Sequence, residues 1–522
     1  MANLVFSADD GSTGRELWTT DGTVAGTRLL ADIWPGGGSA SPSSLTSLGD
    51  GRVVFAAADP VHNTELWATD GTAAGTRLVL DINTASSGYG PSYPGNFALL
   101  ENGRALFVAS DPEHGYEPWV TDGTAEGTRV LETNPGSGYS YLSGAFVALG
   151  DGRALFSVSD SERGSELWAT DGTQDGTGLV ADIYPGPGGS SPGAYYGSPG
   201  MLALGDGRAV FGADDGANGR ELWISDGTEG GTYLLADLWP GTYNPYPGSG
   251  DFPGSSNPAN FTALGDGRVL FTAADPDRGT ELWITDGTAG GTRIVADIWT
   301  GTTVPYQGAN PTPASSSPGN IRALGDGRAV FAADDGVHGR ELWVTDGTEA
   351  GTCLLADVWE GGGSGNPGGG GSYSPAPSPS GPPPYGSGYG PGGILALGDG
   401  RAVFSATDPV HGSELWITDG TPGGTRLVED INRNAQGYAN SVPSYFAALG
   451  DGRVVFTADD GANGAEPWIT DGTPEGTQLL RNINPGAAGS GASAFVRVST
   501  VDEAHAPAAG GASQPADEWF VA

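Results

Sequence analysis

Glu281-Leu282-Trp283-Ile284-Thr285-Asp286-Gly287-Thr288-Ala289-Gly290-Gly291-Thr292 decides the fold of this chain, because it is one of nine copies. The copies begin at Glu16, Glu65, Glu117, Glu166, Glu221, Glu281, Glu341, Glu414 and Glu466. They share the pattern Glu-Leu/Pro-Trp-x-Thr/Ser-Asp-Gly-Thr-x-x-Gly-Thr. A repeat every 49 to 73 residues is one supersecondary unit stacked on its neighbours, so its recurring residues serve the scaffold first.

Working outward from this copy, Phe261-Thr262-Ala263-Leu264 is a short apolar run. Gly265-Asp266-Gly267-Arg268 follows, which is hairpin-turn chemistry. Val269-Leu270-Phe271-Thr272-Ala273 is a second run, a turn at Asp275 to Gly279 leads into the motif, and Arg293-Ile294-Val295-Ala296-Asp297-Ile298 closes the unit. Four short strands in an antiparallel meander form a propeller blade. The chain starts at a second strand, Val5-Phe6, and its ordered pattern ends in a lone first strand, Phe495-Val496-Arg497-Val498. The expected fold is therefore all-β, a nine-bladed β-propeller of four-stranded blades closed by pairing of the two ends. An open superhelix of blades is the alternative.

The motif resembles the bacterial ELWxxDGT-repeat proteins over Asn3 to about Val498, with Pro118 and Pro467 departing from the leucine. Those prolines place their strands nearer an edge or bulge. The resemblance implies propeller-like modules in secreted or cell-surface bacterial proteins and no particular reaction. The domain reading is a single propeller over 1–499 with a Gly/Pro/Ser-rich insertion at 361–393. A tail at 500–522 ends in Asp517-Glu518-Trp519-Phe520-Val521-Ala522. That end is similar to the signals of type I secretion; strand-like residues begin at Leu4-Val5-Phe6, and the expectation is a chain trimmed of its leader or one exported by another route.

The net charge is −40, and all 22 basic residues are arginine. Such a surface repels nucleic-acid phosphates and anionic membranes, and the apolar runs are too short for membrane insertion as helices. Lacking lysine, the chain has neither Schiff-base chemistry nor a Walker-type phosphate loop. The single cysteine, Cys353, excludes an intrachain disulfide and reads as a buried or half-buried inert thiol. There is no Ser-His-Asp set, HExxH run or dinucleotide fingerprint.

Three carboxylates recur in each unit: the motif Glu, the Asp of Asp-Gly-Thr, and an Asp four residues after each second-strand Phe (Asp10, Asp59, Asp111, Asp160, Asp215, Asp275, Asp335, Asp408, Asp460). Turn-capping is the favoured reading, with calcium as the competing one; no Asp-x-Asp-x-Asp-Gly run supports calcium. The arginines after Gly-Asp-Gly, such as Arg153, Arg208 and Arg328, are expected to pair with these carboxylates. His62, His114, His338 and His411 fall in the turn between strands two and three and read as solvated. The motif Trp reads as packing between blades. A second set after the fourth strand, Trp34, Tyr184, Trp239, Trp299 and Trp359, reads as rim packing or the foot of a binding surface.

Tyrosine is distributed unevenly. Fourteen of 17 lie in the linkers from a fourth strand to the next first strand, among Gly, Ser, Pro and Asn. In a meander these linkers share one face, and this is the composition of binding loops. The candidate ligand-binding residues are Tyr89, Tyr93, Tyr195, Tyr196, Tyr243, Tyr246 and Tyr306. The competing reading is that tyrosines pin long loops to the scaffold. The functional expectation is a non-catalytic extracellular or cell-surface propeller holding a glycan or protein. A polysaccharide hydrolase or lyase, or a self-associating coat or filament module, are the alternatives.

Overall fold

The computed structural model describes residues 3–84, 90–100, 103–133, 141–142, 145–193, 200–243, 251–304, 311–358, 392–433, 439–486 and 488–498. Nine antiparallel sheets form a closed β-propeller. Blade 6 is typical: Ala259–Ala263, Val269–Asp275, Gly279–Thr285 and Arg293–Ala296 pair in chain order. Blade 4 differs in having its first strand split into Tyr141–Leu142 and Val147–Ala148, both paired with Ala154–Asp160. The insertion at 361–391 and the tail lie outside the described residues.

Second strands read as unbroken apolar runs because both their faces are covered by neighbouring blades. Their nine phenylalanines, Phe6 through Phe456, are fully buried. Each faces the motif Trp across the ladder, as Phe271 faces Trp283. The Trp in turn packs into the preceding blade. Trp119 joins Leu66, Val79 and Ile82 of blade 2, and Trp18 joins Ile483 of blade 9. The expected inter-blade packing role holds for all nine.

Ring closure is explicit. Ser493–Val498 pairs with Asn3–Asp9, and Arg15–Thr20 and Arg28–Ala31 complete blade 1. Phe495 stacks on Phe6 at 4.8 Å, as Phe261 stacks on Phe271 at 5.5 Å. The closing strand also touches the first strands of both adjoining blades, Ser43–Ser47 and Ser444–Ala448. The open-superhelix alternative is thereby excluded.

The prolines act as their chemistry requires. Fourth strands have four residues in seven blades but two in the Pro118 and Pro467 blades, Arg129–Val130 and Gln478–Leu479. Proline has no N–H to give the ladder, so pairing stops beside it. The carbonyls of Pro118 and Pro467 still accept from Leu131 and Leu480, at 2.8 and 2.9 Å.

Hairpin arginines tie a blade to the next at five junctions among the described residues. Arg208 forks onto Asp206 of its own turn and donates to the Gly287 carbonyl of the following blade at 3.2 Å. Arg453 does the same across the closure, to Gly22 at 3.2 Å. The partner is thus the hairpin's own Asp, not the recurring carboxylates, because a two-residue offset presents it directly to the guanidinium. Cys353 is exposed, contrary to expectation. It opens an outermost strand, at the place that Arg293 holds in blade 6.

Phe495→Ala should lower unfolding stability by about 2 kcal/mol, below the roughly 3–5 kcal/mol of a fully buried Phe truncation because the ring is half-buried. Denaturant titration against Phe446→Ala, the corresponding change in blade 9, should show similar losses. A silent Phe495→Ala would mean that the closing strand carries no stability.

Candidate binding face

The linkers are positioned by the motif Glu, which is not a turn cap. In blade 5 Glu221 is fully buried. Its carboxylate accepts the N–H of Leu238 at 2.7 Å, where the linker leaves the fourth strand. It also accepts the N–H and hydroxyl of Ser256 at 2.8 and 2.6 Å, where the linker returns. One side chain therefore clamps both feet of a linker. Glu65 repeats this with Ile82 and Ser92, and Glu414 with Ile431 and Ser441. Burial pushes these carboxyls up, to about 7 for Glu16, Glu65, Glu221, Glu281 and Glu414, against the pull of their hydrogen bonds. The serine that recurs at the end of six linkers was the sequence signal for this role.

The other two carboxylates are turn caps, as expected. Asp286 accepts the N–H and hydroxyl of Thr288 at 2.9 and 2.6 Å, while Gly287 takes the positive φ of +78° that the turn needs. The Thr288 hydroxyl bond holds Asp286 below the usual carboxylate range. The Asp of the turn between strands two and three accepts the next N–H groups and the side chain three residues on. In four blades that side chain is His62, His114, His338 or His411, each with Nδ1 at 2.7–2.8 Å. These histidines are thus anchored and half-buried, not simply solvated. The bond to Asp raises His62, His114 and His338 above their ordinary range. Among the described residues no group of three or more His, Cys, Asp or Glu is arranged to hold a metal ion.

These turns lie on the same face as the linkers. Tyr184 lies against Gly216, and Trp299 against Gly336, in the turn of the next blade. Tyr184 and Trp299 therefore pack between blades, while Trp239 lies against Gly254 of its own linker. Of the candidate tyrosines, Tyr93 is 64% exposed and Tyr243 is 43% exposed. Tyr89, Tyr195, Tyr196, Tyr246 and Tyr306 lie outside the described residues. Tyr93 has a φ of +48°, a left-handed conformation that a bulky residue adopts only when its surroundings impose it.

Two consecutive linkers form raised β-ribbons. Thr242–Tyr243 pairs with Phe252–Pro253, and Thr302–Thr303 with Thr312–Pro313. On the first ribbon Tyr243 stands opposite Phe252, which is 48% exposed, and its ring lies 5.7 Å from that of Trp239. Phe252 was missed in the sequence because only the ribbon register brings it beside Tyr243.

No family model matches the chain, and no curated protein matches it. Among solved structures it is similar to puromycin hydrolase, with 18% identity and a TM-score of 0.35 over 80% of this chain and 58% of that one. TolB from Acinetobacter baumannii gives 14% and 0.28 over 59% and 64%. The β-propeller domain of the Trilobed protease from Pyrococcus furiosus gives 11% and 0.31 over 74% and 96%. The chain thus spans less than two thirds of the hydrolase, and likenesses this distant carry nothing about activity.

The Glu clamps set a pH dependence. Their folded pKa lies above the ordinary 4.5, so their stabilising contribution is full below about 4.5 and is lost as pH rises through about 7. The turn aspartates act oppositely and lose their contribution below about 3.8. The melting temperature should therefore be higher at pH 5.5 than at pH 8.5, and Glu221→Gln should flatten that slope. A melting temperature that rises across this interval would contradict the assignment.

Proposed function

We propose that the chain is a non-catalytic binding propeller, working outside the cell or at its surface, that holds a glycan on the linker face. The observation that carries this reading is the aromatic group on the blade 5 linker: Trp239, Tyr243 and Phe252, adjacent and with the last two half-exposed. Large rigid rings stack on sugar faces at little entropic cost, and the Tyr hydroxyl adds a hydrogen bond. The ribbon is fixed below by Glu221, so its rings are held in place before a ligand arrives. The composition of the other linkers extends the same chemistry around the face. The resemblance to ELWxxDGT-repeat proteins supports the extracellular setting.

Tyr243→Ala and Phe252→Ala should each weaken capture on a glycan array by roughly ten-fold, about the worth of one stacking contact. Their melting temperatures should stay within a degree or two of the parent, since both rings are half-exposed. Lower stability with unchanged capture would make these rings loop pins and end the proposal.

A further inference from the structure

The nine first strands touch one another in a closed circle, so they line the central channel of the ring. Each is entered from a linker, and its start therefore stands at the channel mouth on the linker face. Two left-handed backbone positions recur there. The residue after the clamped linker foot is one: Ser41, Ser191, Asn257, Ser317 and Gly491 have φ of +46° to +53°. The other lies at a bulge that opens the first strand: Ser44, Asn96, Asn260, Asn320, Gly393 and Ala494 have φ of +43° to +58°. Glycine suits this conformation, and asparagine reaches it by bonding locally. In blade 6 the Asn257 amide donates to the Ser255 carbonyl at 3.0 Å and the Asn260 amide to the Thr272 hydroxyl at 3.1 Å.

Tyr93, Val442 and Tyr445 break this pattern. They occupy the same two positions, with φ of +48°, +47° and +53°, and bring two rings and a β-branched side chain to a conformation that penalises bulk. Burial does not offset that penalty, since they are 64%, 58% and 58% exposed. Neither tyrosine makes a side-chain hydrogen bond among the described residues. Beside Tyr445, the same bulge position holds Gly393 in blade 8 and Ala494 in blade 1, so no ring flanks it there. Strain combined with exposed apolar area gives the scaffold nothing, and points to contact with something outside the chain.

Tyr93 enters blade 3, the Tyr243–Phe252 ridge lies between blades 5 and 6, and Val442 and Tyr445 enter blade 9. These aromatic stations are thus about three blades apart around one mouth, and a ligand that touches more than one must cross it. We infer that the ligand of this face is a neutral polysaccharide chain that crosses the channel mouth and stacks on Tyr93 and Tyr445 as well as on the blade 5 ridge. This rests on the glycan reading of the linker face, and adds the length and charge of the ligand and two further contacts. Neutrality follows from the net charge of −40, which repels uronate or sulfated chains.

The test is calorimetry of the full chain with mannan, laminarin and hydroxyethyl cellulose, each against its own disaccharide, and with anionic polygalacturonate. At least one neutral polysaccharide should bind about 100-fold more tightly than its disaccharide, as linked contacts add. The triple variant Tyr93→Asn, Val442→Asn, Tyr445→Asn introduces the residue that blade 6 carries at both positions. It should lose that roughly 100-fold gain, with a melting temperature no lower than the parent's, because strain is relieved. A gain that came only from the many units of a long chain would survive in the variant. If the triple variant does not fold, Tyr445→Asn alone decides, with an expected loss of about ten-fold. A folded variant that keeps the gain, a lower melting temperature with unchanged binding, or polygalacturonate bound as tightly would each overturn the inference. If disaccharides bind through Tyr243 and Phe252 but long chains gain nothing, this inference alone falls; if no glycan binds, the linker-face reading falls with it.

Discussion

The nine buried motif glutamates are the constraint on which the rest depends. Burying a carboxylate among blades is unfavourable unless its oxygens are filled, and each is filled by backbone N–H groups and, in six blades, a serine hydroxyl of its own linker. The cost of burial thus becomes a requirement that both linker feet dock. Between those feet the chain is free to lengthen: Leu238 to Ser256 and Ile82 to Ser92 differ in length yet are clamped alike. This separates a framework that must repeat from loops that need not.

The opposite face is organised by arginine. Forked onto its own hairpin Asp, a guanidinium such as that of Arg328 is held flat, with donors left for the turn carbonyls of the next blade. A lysine, a point charge on a flexible stem, has no such fork. Trp283 and its eight counterparts seal the apolar interior between these polar layers. Adjacent blades are therefore joined by linker packing on one face, by indoles in the middle and, at five junctions among the described residues, by guanidinium bridges on the other. The junction between blade 9 and blade 1 has all three, through Gly11 against Asn484, Trp18 against Ile483, and Arg453 on Gly22.

Most of the framework was legible in the sequence because a ninefold repeat averages away local ambiguity. Strand order, blade number and the split first blade followed from counting Phe6, Trp18 and Phe495 against their copies. The role of the motif Glu was not legible in the same way. Its partners lie 16 to 35 residues away, and nothing local distinguishes a clamp from a cap. The histidines were misjudged for a related reason: His62 three residues after Asp59 looks like turn solvent until the turn curls the ring back. Tyr243 was legible as a loop tyrosine; its companionship with Phe252 required a register that the Gly/Pro-rich linker does not announce.

Departures from the repeat are where specificity can arise without disturbing the fold. Where an aromatic rim residue becomes Asn432 and a strand leucine becomes Pro467, the framework survives because Glu414 and Glu466 still clamp their linkers. A cleft of about 580 Å³ lies there, lined by Ile431, Trp468 and Leu479. In blade 5, by contrast, the clamp is intact and the linker itself rises as a ribbon carrying Tyr243 and Phe252. The same rigid ring thus produces a recess in one place and a raised aromatic ridge in another. Both follow from which positions the carboxylate clamp holds and which it leaves free.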